Sequence, residues 1–212
     1  MRVLALDSAF GGISVAVAEG AIIRSSVRGD PDAKAAESLP RLVQDALETA
    51  VLGLADIDRL AVTLGPGGFT SLRAGLAFAK GLAMGAAKPL LGFTTLEALA
   101  VSSADRISPV ASVIDAKRGE VFLQVFSPRL LPLSEAMTLQ LDLLGTVFPW
   151  SGSIRACGSG AAFLGERYAG AEIVDVVSPD AAALALYCQD FAPHERPAEA
   201  VYLRPAEARP MQ

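Results

Sequence analysis

The sequence predicts an α/β protein built as two successive lobes, and three features of the chain carry that prediction. Residues 3–27 read as three strands in two consecutive hairpins. Strands and helices then alternate as far as residue 102. Beyond residue 103 the pattern begins again on a new hairpin.

Each element follows from local pattern. The apolar run 3–6 ends at Asp7, and Gly11 and Gly12 turn the chain into the run 13–18. Gly20 turns it again into 21–27, and the Gly, Asp and Pro residues of 29–34 make a loop. Between 37 and 51 the apolar residues are Leu39, Leu42, Val43, Ala46, Leu47, Ala50 and Val51. Their spacing is that of an amphipathic helix, with Arg41, Gln44, Asp45 and Glu48 on the wet face. A buried strand is expected at 60–64, a tight turn at 65–68, and a helix from there to about Gly85, capped by Thr70 or Ser71. A strand at 89–92 and a helix at 94–102, capped by Thr94 or Thr95, close the first lobe.

The second lobe opens with a strand at 110–114 ending at Asp115, a turn at 117–120 and a returning strand at 121–126. The Leu- and Pro-rich stretch 127–150 has weak periodicity and reads as irregular, with a short helix near Leu141. A strand at 154–157, a helix at 161–168, a strand at 172–176 and a helix at 181–190, started near Ser178 or Asp180, follow. Pro193, Pro197, Pro205 and Pro210 make the end an extended tail. Three antiparallel strands followed by alternating strands and helices is the plan of an RNase H-like lobe. Two such lobes, the second shortened, make an actin-like (ASKHA) pair, with boundaries expected at 1–102 and 103–212.

Composition narrows the function classes. Hydrophobic residues form 52% of the 212-residue chain, so it can bury a core. A net charge of −5 argues against a free-standing nucleic-acid binder, although a subunit whose partner holds the nucleic acid is compatible with it. Two distant cysteines, Cys157 and Cys188, suit a reducing cytosol. Asp7 interrupts the first apolar run too early for a signal peptide, and Lys80 interrupts the longest apolar stretch, 74–87. The reading is cytoplasmic, without membrane association.

Few residues offer chemistry. Asp7 stands where actin-like ATPases place a carboxylate toward metal and phosphates, or it closes the turn by accepting backbone N–H bonds. Asp115 is its counterpart in the second lobe. Gly65, Gly67 and Gly68 precede a helix N-terminus, where N–H groups can hold an anion, or they allow close helix–strand packing. The loop lacks the lysine of a P-loop and the spacing of a Rossmann fingerprint. The one histidine, His194, lies among prolines, which leaves no basis for a Ser-His-Asp triad or an H-E-x-x-H zinc site. No metal site is expected.

The helix after residue 68 is more informative. Over 72–86 it carries two charges, Arg73 and Lys80, seven apart and so on one face. A helix apolar almost all round must be covered on more than one side. Leu72, Leu76, Ala79 and Ala83 suit its own sheet. Ala77, Gly81 and Gly85 form a second strip of small residues that admits another helix. Each glycine within the helix costs roughly 0.8–1 kcal/mol relative to alanine, which calls for a packing reason. The neighbour is either internal, such as helix 37–51, or another subunit.

The stretch 62–83, VTLGPGGFTSLRAGLAFAKGLA, is similar to the signature of the TsaB (YeaZ) family. LALDSA at 4–9, IDAKRGEV at 114–121 and VYLR at 201–204 agree with it. The resemblance implies an actin-like two-lobe fold and a part in making N6-threonylcarbamoyladenosine (t6A) at position 37 of tRNAs that read ANN codons. It implies a non-catalytic companion of the TsaD-type transferase, with a TsaE-type ATPase in the same set. The two early helices then pack on a TsaD-type partner, or on a second copy in a homodimer. The interface residues this implies are Leu39, Leu42, Val43, Ala46, Arg73, Ala77, Lys80, Gly81 and Met84. Contact with tRNA is expected only through the complex, and ATP or ADP only at a partner interface. TsaD-type proteins hold metal with a histidine pair on a helix that begins here at Lys34, Ala35, Ala36 and Glu37, without histidine. Lys34 replaces even the single histidine common in TsaB relatives. The rival readings are an actin-like ATPase or kinase using Asp7 and the 65–68 loop, and, more weakly, an M22-type peptidase.

Overall fold

The protein is described from a computed structural model that covers residues 1–10, 12–30 and 34–203. Gly11, Arg204, Pro205, Pro210 and part of the expected loop 29–34 lie outside the described residues.

The first sheet contains β1 (Arg2–Asp7), β2 (Ser14–Glu19), β3 (Ile22–Arg28), β4 (Arg59–Thr63) and β5 (Leu90–Phe93) in the order β3-β2-β1-β4-β5. The second contains β6 (Val110–Lys117), β7 (Glu120–Phe126), β8 (Met137–Gln140), β9 (Ile154–Cys157) and β10 (Ala171–Ile173) in the order β10-β9-β6-β7-β8. Read from its third strand, each sheet has the same order, three antiparallel strands followed by two parallel ones. This is the expected α/β actin-like plan of two RNase H-like lobes.

The second lobe is the smaller in its helices. The first half carries α1 (Ala35–Ala50), α2 (Phe69–Ala86) and α3 (Thr95–Ser103). The second carries α4 (Leu144–Val147), α5 (Ala161–Gly165) and α6 (Ala181–Tyr187). Strand β8 corrects the irregular reading of 127–150, because it pairs with β7 from Glu120↔Gln140 to Leu123↔Met137. Its four residues are too few to show a period of two. The expected helices at 161–168 and 181–190 are shorter, the latter ending in a 3-10 turn at Cys188–Asp190.

Alternation along the strands sorts the side chains into layers. On the first sheet Leu4, Leu6, Val15, Val17, Leu60 and Val62 face α1 and α2. Val3 and the small residues Ala5, Ala16, Ala18 and Ala61 face the opposite way. There α6 lies across β1 and β2 with Ala181, Leu184 and Ala185, and α3 lies between it and β6 of the second sheet. The alanines on both surfaces let α6 settle close to the strands. On the far side of the second sheet Val121, Leu123 and Val125 meet Leu144 of α4 and Leu164 of α5. The order through the molecule is α1/α2, first sheet, α6/α3, second sheet, α4/α5.

The final segment returns to the first lobe. Arg196 O accepts from Gly92 N at 3.0 Å, and Val201 N donates to Leu64 O at 2.8 Å. Thr138 Oγ1 on β8 donates to Leu203 O at 3.3 Å. Residues 196–203 therefore form a strap across β5 and the loop that leads into α2. Among the described residues no helix is long and apolar enough to cross a membrane.

Candidate functional site

Helix α2 is held by its loop rather than by a side-chain cap. Gly68 occupies the N-cap position, and neither Thr70 nor Ser71 caps the helix. Both lie inside the first turn, and Ser71 Oγ donates back to Gly68 O at 3.3 Å. The expected cap is replaced by backbone contacts. Gly68 N donates to Ala9 O at 2.8 Å, and Ser8 Oγ donates to Ser71 O at 3.0 Å.

That packing accounts for the glycines of the loop. Gly65 has φ of 101°, and a Cβ there would lie 2.6 Å from Val201 O. At Gly67 a Cβ would run into Ala9 O. The N–H of Gly68 is committed to Ala9. Of the two roles open to these residues, close backbone packing is the one the geometry supports. Asp7 is likewise turned inward and is 1% exposed. Its Oδ1 accepts from Thr63 Oγ1 at 2.6 Å and from Ala9 N at 3.1 Å, which closes the turn. Burial raises its pKa to about 7 against the pull of those two bonds. Asp115 sits in the second hairpin, accepting from Lys117 N at 2.8 Å and Lys117 Nζ at 2.7 Å. Burial acts to raise its pKa, but the bonds from Lys117 outweigh it and the group titrates below its ordinary value.

Among the described residues, neither the cysteines nor the histidine offers a reactive group to these positions. Burial pushes the Cys188 thiol up to about 11 and raises Cys157 as well, so neither is a ready thiolate. His194 is exposed in a short 3-10 turn. Lys34 precedes α1, and its Nζ reaches Glu37 Oε1 at 3.1 Å. Among the described residues no group of three or more His, Cys, Asp or Glu side chains is arranged to hold a metal ion.

The two sides of α2 separate as its spacing predicts. Leu72, Leu76, Ala79 and Ala83 are buried on the first sheet. Ala77, Gly81 and Gly85 are exposed, and a Cβ at Gly81 or Gly85 would meet nothing within 4 Å. At Gly81 and Gly85 the strip therefore has no internal neighbour among the described residues. Gly75 differs, since a Cβ there would strike Ser8 Oγ. One helix glycine thus serves the monomer, while two face outward. Met84 is 83% exposed on the open side, and Val51 at the end of α1 is 85% exposed.

Helix α1 runs beside α2 but offers less than expected. Leu39, Val43 and Ala46 are buried in the core beneath it, so these three expected interface residues face the sheet instead. Leu42 is half-buried and packs toward Gly29. The amphipathic stripe that reveals a helix is its core side. Two apolar grooves flank the exposed strip. One, of about 430 Å³, lies between the starts of α1 and α2 and is lined by Lys34, Ala36, Phe69, Thr70 and Ala74. The other, of about 530 Å³, lies between the end of α2 and the strap, where Lys80, Met84 and Leu90 face Pro197 and Ala198.

Arg73 organises the start of α2. Its guanidinium lies 3.6 Å from the centre of the Phe69 ring, and its Nε donates to Tyr202 Oη at 3.0 Å. Phe69 is 51% exposed, and its ring lies 6.2 Å from that of Tyr202. Phe69 and Tyr202 are absent from the residues singled out by sequence. The available signal was a large apolar residue at the first position of a glycine-led helix, together with the VYLR segment.

Comparison with known proteins bears on the family and the fold. Residues 32–150 match the family model described as "TsaD: tRNA N6-adenosine threonylcarbamoyltransferase". The chain is 38% identical over 124 residues to the tRNA threonylcarbamoyladenosine biosynthesis protein TsaB of Escherichia coli K12, which is 58% of this chain and 53% of that protein. It is 38% identical over 91 residues to the tRNA N6-adenosine threonylcarbamoyltransferase of Jannaschia sp. CCS1, 43% of this chain and 22% of the transferase. The match thus spans about half the length of the first curated relative and less than a quarter of the second. Among solved structures, YeaZ from Pseudomonas aeruginosa superposes with a TM-score of 0.82 at 25% identity, covering 95% of this chain and 99% of that one.

Proposed function

We propose that this chain, which belongs to the family described by that transferase model and is a TsaB (YeaZ) member of it, is an accessory subunit in the synthesis of t6A in tRNA. It works in the cytoplasm by docking on a TsaD-type transferase, with a TsaE-type ATPase in the same assembly, and pairs with a second copy when the transferase is absent. It contributes no catalytic centre of its own and meets tRNA only through the complex.

The observation that carries this reading is the open strip on α2. Gly81 and Gly85 weaken the helix and pack on nothing among the described residues. Small residues spaced in this way let a partner helix come close, and exposed Met84 and Phe69 supply apolar contact at either end. The partner surface then comprises Arg73, Ala77, Lys80, Gly81 and Met84, with half-buried Leu42 at its margin. Asp7, enclosed by Thr63 and Ala9, supports a structural role for the carboxylate that the ATPase reading would use.

The test is reconstitution of tRNA modification from the transferase, the ATPase and the threonylcarbamoyl donor, with and without this chain. Modification is expected to depend on the chain. Gly81→Leu is expected to leave the monomer folded, because the site is open, and to abolish both self-association in size-exclusion chromatography and capture of the transferase. Wild-type behaviour of that variant in both assays, or ATP turnover by the isolated chain, would overturn the reading.

A further inference from the structure

A third concavity, remote from the strip, lies where α3 begins, α6 ends and the strap leaves the middle layer. Its volume is about 430 Å³, within the range of small-molecule sites. The floor is a closed polar group. Glu97, 7% exposed, accepts two bonds from Arg196, Nη1 to Oε2 at 3.0 Å and Nη2 to Oε1 at 2.9 Å. Tyr187 Oη donates to Glu97 Oε1 at 3.2 Å. Arg196 also lies 4.0 Å from the centre of the Phe191 ring. The Glu97 charge is thus matched within the floor and does not oppose an arriving anion.

The mouth is different. Arg106 and Arg129 line it, both exposed, and neither has a hydrogen bond or ion pair among the described residues. Arg106 is held at φ 64°, at the tip of a turn pinned by Asp105. The Asp105 carboxylate accepts from Ile107 N and Ser108 N, both at 2.8 Å, and pairs with Arg155 at 3.2 Å. Among the described residues that line the cleft, the carboxylates are Asp190 and Glu97, and Glu97 is already paired with Arg196. Phe126, Leu130 and Pro132 form an apolar wall beside the two guanidiniums. On a chain of net charge −5, this is a local excess of positive charge over an apolar surface.

We propose that this cleft binds a small organic anion, a carboxylate or phosphate held by Arg106 and Arg129, with its apolar body against Phe126 and Leu130. The guanidinium fork suits both oxyanions, and the Glu97–Arg196 pair provides a rigid floor.

Calorimetric titration of the intact protein with phenyl phosphate and, separately, with phenylacetate, at constant ionic strength, tests this and identifies which oxyanion is preferred. Saturable binding of at least one probe is expected, about tenfold or more weaker in the Arg106→Gln/Arg129→Gln double variant. Benzylammonium is expected not to bind, and Arg41→Gln, on the wet face of α1, is expected to bind as wild type. Both exposed substitutions in the double variant are expected to leave the thermal transition in place. Absence of saturable binding by either anion, equal affinity in the double variant, or equal binding of benzylammonium would each overturn the proposal.

Discussion

Asp7 shows how one residue type at one position supports two opposite roles. The sequence places a carboxylate at the end of β1 before a glycine turn, which suits either a phosphate site or a turn. In the fold the group is buried and accepts bonds from Thr63 and the backbone of Ala9, the arrangement of a turn-closing carboxylate. Its pKa rises from 3.8 to about 7 in the fold. A carboxyl whose folded pKa is raised contributes stability that is fully present below about pH 4. That contribution is lost progressively as the pH climbs to about 7. Asp7→Asn keeps an oxygen for Thr63 and Ala9 and removes the titration. Urea unfolding across this range is expected to show the difference between variant and wild type moving in the variant's favour by a few kcal/mol from pH 4 to pH 8. A constant difference would mean that Asp7 does not titrate in this window. The bond from Ala9 is the turn-closing contact that the sequence offers, whereas the bond from Thr63 was invisible there, since Thr63 lies 56 residues away.

Helix α2 carries a message at the scale of the element. Its period separates a sheet-facing row from a small-residue strip, and the structure preserves that division. What the period leaves open is why each glycine is there. Gly75 abuts Ser8 and Gly81 abuts nothing among the described residues, although both interrupt the same apolar helix. Gly81→Ala is therefore expected to raise the stability of the monomer by roughly 0.8–1 kcal/mol, the ordinary helix-propensity gain. Gly75→Ala is expected to lower it, because Ser8 must move and its bond to Ser71 O weakens. Chemical denaturation of the two variants at concentrations below self-association distinguishes these outcomes. Helix α1 teaches the complementary point. Its stripe of Leu39, Val43 and Ala46 announced the helix correctly and faces inward, so the most legible residues were the least available to a partner.

At the scale of the whole molecule, the strap joins what the chain order keeps apart. It covers Gly92 and Gly65, and at Gly92 a Cβ would lie 2.8 Å from Pro197 O. Gly92→Ala is expected to lift the strap, lowering the thermal transition and speeding amide exchange at Val201, whose N–H otherwise donates to Leu64 O. Normal protection at Val201 in that variant would show that the strap is not held by this approach. The same segment brings Arg196 to Glu97, 99 residues away, and Tyr202 to Arg73, 129 residues away. Hydrophobic period and turn chemistry settle the strands and helices of the first lobe, the hairpin that opens the second and the two-sidedness of α2, because those depend on residues a few positions apart. The resemblance in the loop-and-helix signature extends this to the family. Three-dimensional packing alone settles the rest: β8, which owes its existence to pairing with β7; α6, which lies on the sheet of the other lobe; the inward turn of Asp7 and the α1 stripe; and the arginine-rimmed cleft. Each of these depends on surfaces that meet only after the chain has folded, and no local period encodes such a meeting.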